Sequence, residues 1–190
     1  MEPEMELEEL LIQLQTNQSQ RVYGKYAGTV VDNVDQQSMG RLKVKVPAVL
    51  KGESVWAMPC VPYAGDGVGF YFIPPNDAGV WVEFEGGDTS RAIWTGCYWS
   101  QGQLPIDATS PDIKVLATDK ATLRIDDTSG DVVLTNTNNA TTTWSSDVKT
   151  EAGSATQTVG AAGVVSESSP GKVEVGAAGV TINNGAFKVT

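Results

Sequence analysis

The sequence predicts an all-β protein: a short N-terminal helix, a small β-barrel, and a C-terminal β-helix whose strands are shared among copies of the chain. Three observations carry this. The stretch Trp56–Trp99 holds four of the five tryptophans and alternates apolar with polar residues between Gly, Pro and Asp breakers, the pattern of short strands around an aromatic core. Bulky residues thin out after Trp99, where Thr, Ser, Asn, Gly, Ala and Val take over. The alternation nevertheless continues to the last residues, with Val, Ile and Leu on the inward positions.

Bulk properties exclude several functions. A chain of 190 residues with 41% hydrophobic content allows one ordinary domain or two small ones. The formal net charge of −10 disfavours a nucleic-acid partner, which requires a cationic face. Glu2, Glu4, Glu6, Glu8 and Glu9 supply much of that excess, so the start of the chain is acidic where a secretory signal is basic. No apolar run is long enough to span a bilayer, so stable membrane insertion is not expected. There is no histidine, which removes the commonest general base and metal ligand and rules out any Ser-His-Asp or Cys-His arrangement. Cys60 and Cys97 could pair if their strands are neighbours; the favoured reading is reduced, buried small hydrophobes of a chain made in the cytoplasm.

Taken in order, Met5 to Gln15 reads as a helix, with Leu7, Leu10, Leu11 and Leu14 on one stripe and acidic residues in its first turns. A helix this short is marginal alone. Its stripe docks on a sister chain or a partner protein, or folds back on the barrel. Thr16 to Gln20 is a polar linker. Tyr26–Val31 is a strand candidate, Asp32–Gly40 a loop, and Arg41–Val46 a strand with Leu42, Val44 and Val46 inward and Arg41, Lys43 and Lys45 outward, ended by Pro47. Gly69–Ile73, Gly79–Phe84 and Arg91–Trp99 are further strands, with Val80, Val82 and Phe84 on one face and Trp81, Glu83 and Glu85 on the other. Roughly five strands is the count of an oligonucleotide/oligosaccharide-binding (OB) barrel.

Residues 101–111, with Pro105 and Pro111, read as an extended linker. Beyond it come Ile113–Leu116, Ala121–Asp126, Asp131–Thr135 and three strands within Gly171–Thr190, with Gly at the corners. Gly160-Ala161-Ala162-Gly163-Val164 recurs as Gly176-Ala177-Ala178-Gly179-Val180, an offset of 16 residues. Strands of this composition bury too little area to offset chain entropy alone. Three chains around one axis bury a continuous narrow seam instead, about 50 Å long for ten strands at ~4.8 Å each. The bland alternative for 112–190 is a low-complexity tail, against which the strict alternation speaks.

The order Gly28-Thr29-Val30-Val31, Gly40–Pro47, Ser54-Val55-Trp56, Pro62–Gly65, Gly69–Pro74, Asp77, Val80–Asp88, Arg91 and Ile93-Trp94-Thr95-Gly96 resembles the OB domain of phage baseplate assembly protein V and of VgrG spike proteins of contractile injection systems. The resemblance spans about residues 22 to 100. Ala78-Gly79 stands where that pattern usually carries another acidic residue. The resemblance implies domains at 1–20 (helix and linker), 21–100 (OB barrel), 101–111 (linker) and 112–190 (trimeric intertwined β-helix, or β-prism). It further implies a non-enzymatic homotrimeric spike of a phage tail or contractile injection system, assembled into that particle and needing no cofactor. A hub protein is expected to hold the barrel end through Leu7, Leu10, Leu11 and Leu14. A PAAR-type tip protein is expected on the blunt end formed by Ala186, Phe187, Val189 and Thr190, since a histidine-held iron apex has no ligands here. Residues 101–111 leave no room for a lysozyme domain, and Asp126, Asp127 and Asp131 read as a solvated turn rather than a glycosidase pair. The alternative function is an OB module gripping nucleic acid or a glycan.

Overall fold

The computed structural model describes residues 9–12 and 21–189, without the side chains of residues 188 and 189. The chain divides into two units, one ending at Gln103 and one beginning at Leu104.

The first unit is a closed five-stranded barrel built from β1 (Tyr26–Asp32), β2 (Leu42–Lys45), β3 (Ser54–Pro59), β6 (Gly79–Phe84) and β7 (Ala92–Tyr98), in the order β1-β2-β3-β7-β6. Closure removes the free sheet edges that invite aggregation. β1 pairs with both β2 and β6, and β3 joins β7 in a parallel contact, Met58 opposite Ile93. The alternation read from the sequence sets the interior: Leu42, Val44, Val46, Val80 and Val82 are fully buried with Val30 and Ala57, and Phe84, Ala92 and Trp94 complete the core. Register shifts mark bulges at Val31 in β1 and at Thr95 in β7, opposite Trp81/Val82, the device that lets a short sheet bend closed.

Pro47 follows the end of β2 as expected and also opens a single helical turn, Pro47–Leu50, because Pro at the first helical position costs no hydrogen bond. Two expectations are corrected here. Phe70–Ile73 is not a strand: a two-residue-per-strand hairpin, β4 (Ala64–Gly65) with β5 (Val68–Gly69), precedes it, and 70–75 runs without ladder partners. Three consecutive aromatics do not alternate, so no single face could bury them. Cys60 and Cys97 are free, as expected, but both are exposed.

The second unit is one ten-stranded antiparallel sheet in strict chain order. Its strands are β8 (Ile113–Ala117), β9 (Ala121–Asp126), β10 (Val132–Asn136), β11 (Ala140–Trp144), β12 (Val148–Ala152), β13 (Ala155–Gly160), β14 (Gly163–Ser168), β15 (Gly171–Gly176), β16 (Gly179–Ile182) and β17 (Phe187–Val189). The repeated Gly-Ala-Ala-Gly segments are the two-residue turns of β13–β14 and β15–β16: Gly160 faces Gly163, Gly176 faces Gly179, and Gly163 lies beside Gly176. Gly163 has φ of 134°, and a Cβ there would collide with the carbonyl of Val175, so only glycine lets the two turns sit side by side.

Gly79 plays a comparable part in the barrel. It lies opposite Tyr98, whose ring packs on Trp81 at 5.0 Å, and a Cβ on residue 79 would come within 2.6 Å of that ring. Gly79→Ala is therefore expected to push Tyr98 off Trp81 and destabilise the barrel by about 1–3 kcal/mol, read as a lower urea midpoint by tryptophan fluorescence.

Candidate interaction surfaces

Residues paired across a sheet share a face, and neighbours along a strand alternate faces, so the registers define the two surfaces of the second unit. One column runs Ile125, Val132, Trp144, Val148 across β9 to β12 and continues as Val159, Val164, Val175, Val180 across β13 to β16. Two residues along on the same face, a second column reads Leu116, Leu123, Leu134, then Thr142, Thr150, Gln157, Ser166, then Val173, Ile182, Phe187. The opposite face carries Arg124, Thr143, Lys149, Thr158, Glu174 and Thr181, interspersed with Val115, Val133 and Val165. There Arg124–Asp126, Lys149–Glu151 and Lys172–Glu174 pair at 2.8, 2.8 and 3.2 Å, each along one strand.

The apolar face is uncovered. Among the described residues from Leu104 onward none is buried. Val159 is 46% and Val175 44% exposed, while their outward-facing neighbours Thr158 and Gly176 are only half-buried or better. Trp144 sits in this column and was missed as an interface residue by sequence reasoning, because the Thr-Thr-Thr run before it hides the alternation. The pairing of Trp144 with Val132 and Val148 is what reveals it.

The residues expected at the ends of the chain are only partly brought together. Phe187 opens β17 opposite Ile182 and is 59% exposed; Ala186 caps the helical turn Asn183–Gly185 and is exposed. Val189 pairs with Val180, and Thr190 lies outside the described residues. Leu10 and Leu11 lie on a helical turn at 9–12, 57% and 53% exposed, whereas Leu7 and Leu14 lie outside the described residues.

On the barrel, Tyr63, Val68, Phe70, Tyr71 and Phe72 project from the β4–β5 hairpin and the irregular segment after it. Of these, Val68, Phe70, Tyr71 and Phe72 line an apolar cleft of about 400 Å³ with Met39, Pro59 and Ile73. Next to it, Asp35 organises the loop between β1 and β2. Its carboxylate accepts the amides of Gln37, Met39 and Arg41 at 3.0, 2.9 and 3.2 Å and the Arg41 guanidinium at 2.7 Å. The guanidinium lies 5.3 Å over the Trp56 ring. The Arg41 bond, aided by the three amides, outweighs desolvation and holds the Asp35 carboxyl well below the usual carboxylate range. In the second unit, Asp126 accepts the Thr128 amide at 2.9 Å and pairs with Arg124, and both lower its pKa. It serves as a turn cap. Among the described residues no group of His, Cys, Asp and Glu is placed to hold a metal ion, and no helix is long and apolar enough to cross a membrane.

Comparison with known families matches residues 26–99 to the type VI secretion system/phage-baseplate injector OB domain. The match begins at β1 and ends just beyond β7, so it covers the closed barrel and includes the Asp35 loop and the aromatic cleft. A search of curated proteins gave no match to the chain.

Because the folded pKa of Asp35 is depressed below its unfolded value, the loop contributes stability at neutral pH that is lost as pH falls. Asp35→Asn is expected to lower the thermal midpoint at pH 7. That gap to the unsubstituted chain should shrink progressively below about pH 4, where unfolded aspartate begins to protonate. Thermal melts across pH 7 to 2 measure it; a gap constant with pH would contradict the assignment.

Proposed function

From a barrel of the injector OB type, we propose that this chain is a structural, baseplate-associated protein that acts as a homotrimeric spike of a contractile phage tail or injection system. The family match of the barrel supports the baseplate role. The observation that carries the trimer is the uncovered apolar face: a column of Val, Ile and Trp crosses eight consecutive strands, β9 to β16, with a largely apolar second column beside it; within those strands the charged side chains lie on the other side, while Lys114 of β8 faces the same way as the columns. At about 25 cal/mol per Å² of apolar surface, leaving such a face in water is costly. The occupant with the same pattern of columns is another copy, and cyclic symmetry lets each copy present the same face to a common axis. Three copies turn the open face into a dry interior and leave Arg124, Lys149 and Glu174 in solvent.

In this reading the spike's work is mechanical. Force at its tip is resisted by hydrogen-bonded ladders and a packed interior, with no catalytic group required. The hub protein of the baseplate holds the barrel end through Leu7, Leu10, Leu11 and Leu14, and a PAAR-type tip protein sits on Ala186, Phe187, Val189 and Thr190. The protein is made in the cytoplasm and assembled into the particle, with neither nucleic acid nor stable membrane insertion in its role. The second reading, an OB module for nucleic acid or a glycan, is favoured by one observation: the exposed Phe70, Tyr71 and Phe72 offer stacking surface beside the cleft.

Light scattering on the purified protein is expected to give three times the chain mass at all accessible concentrations. A folded monomer that binds oligonucleotides in a salt-dependent way would overturn the spike and support the second reading. In co-assembly with hub and tip proteins, Leu10→Ser with Leu11→Ser is expected to lose the hub and Phe187→Ser to lose the tip, each keeping the trimer. Retention of both partners by these variants would sink the docking assignments while leaving the trimer standing.

A further inference from the structure

Between β9 and β16 the two apolar columns contain one interruption, and it falls where it can do something specific. In the second column, Thr142, Thr150, Gln157 and Ser166 occupy four consecutive strands, β11 to β14, between a block of leucines and the Val173, Ile182, Phe187 block. Thr142 and Thr150 bring their hydroxyls to 3.4 Å of each other across the ladder. No other position in either column from β9 to β16 is polar.

The sequence repeat explains why such an interruption matters. The β13–β14 and β15–β16 hairpins share the Gly-Ala-Ala-Gly-Val turn, and at the same 16-residue offset Val159 corresponds to Val175 and Val164 to Val180. Within the two columns the hairpins differ only where Gln157 and Ser166 in the first stand for Val173 and Ile182 in the second. A copy displaced along its neighbours by one hairpin, about 10 Å at the ~4.8 Å strand spacing, therefore lays turn on turn and valine on valine. Between β13 and β16 the first column does not oppose that displacement.

We propose that Thr142, Thr150, Gln157 and Ser166 form a register key that aligns the copies of the trimer. This inference rests on the trimeric reading above. With copies level, the four side chains of each copy meet the same polar groups of its neighbours, and their hydrogen bonds are satisfied within the interior. With one copy displaced by a hairpin, polar groups at both ends of the block face Leu, Val or Ile, and a buried donor or acceptor is left unpaired. The block thus weakens every arrangement but one, as a single polar position does in a coiled-coil seam.

Pulsed dipolar spectroscopy on the full-length chain tests it. A spin label is placed at T158C, on the outward face, in a C60S/C97S background that removes the two exposed native thiols. The reference protein is expected to give one inter-label distance. The all-apolar variant T142V/T150V/Q157V/S166I is expected to remain trimeric and to add a second, longer component from displaced copies. Valine and isoleucine suit half-buried strand positions, so this variant is compatible with the fold. A moved key, T142V/T150V/V173Q/I182S, places the polar block on β13 to β16 and is expected to restore the single distance. A single distance in the all-apolar variant, or two components with the moved key, overturns the register key with the trimer intact. Should the all-apolar variant not assemble, the moved key decides alone. A reference protein with no dipolar signal overturns the trimer, and the key with it.

Discussion

A sheet with chemically opposite faces cannot be at rest in water, and everything distinctive about this chain follows from that constraint. The ten strands of the second unit pair with their sequence neighbours and satisfy their backbone groups within one chain. What they leave unsatisfied is hydrophobic: the Ile125-to-Val180 column gains nothing from the ladder that displays it. The barrel solves the same problem internally, by closing on itself around Leu42, Val44, Val80 and Val82. One chain thus holds one sheet that buries its apolar side by closing on itself and another whose apolar side stays open in a single copy.

The two units differ in what their side chains can fill. A barrel interior needs volume, and the large residues before Trp99 supply it: Phe84 and Trp94 lie in the core, with the Trp94 indole donating to the Gly40 carbonyl at 3.3 Å. The second unit, built from Val, Thr, Ala and Gly, has little volume to offer an interior of its own. Small side chains suit the close approach of like faces that the proposed trimer needs, and the Gly160/Gly163 and Gly176/Gly179 turns keep its rims free of bulk.

Most of this architecture was legible in the residues. Alternation fixed the inward set of Arg41–Val46 and Gly79–Phe84, because a half-buried strand leaves no freedom about which side is wet. The repeated Gly-Ala-Ala-Gly segments announced the corners. Strand registers between Thr118 and Ser169 were not legible, since runs such as Thr141-Thr142-Thr143 carry no hydrophobic period and only pairing with Lys149, Thr150 and Glu151 sorts them. Phe70-Tyr71-Phe72 was misread as a strand because aromatic content was weighed above alternation, and the exposed cysteines because residue type was weighed above position. Of the end residues, Leu10, Leu11, Ala186 and Phe187 are exposed as a docking role requires, yet exposure alone names no partner.

The strict chain order of the second sheet carries a kinetic consequence. Each strand meets a partner only a few residues away, so loop-closure entropy is small at every step and the meander can zip up as soon as it is synthesised. In the proposed trimer the slow event is then the meeting of finished chains rather than the folding of any one of them. A step that needs three copies to meet scales steeply with chain concentration, so trimer assembly under that proposal is fast where the chain accumulates and slow where it is dilute.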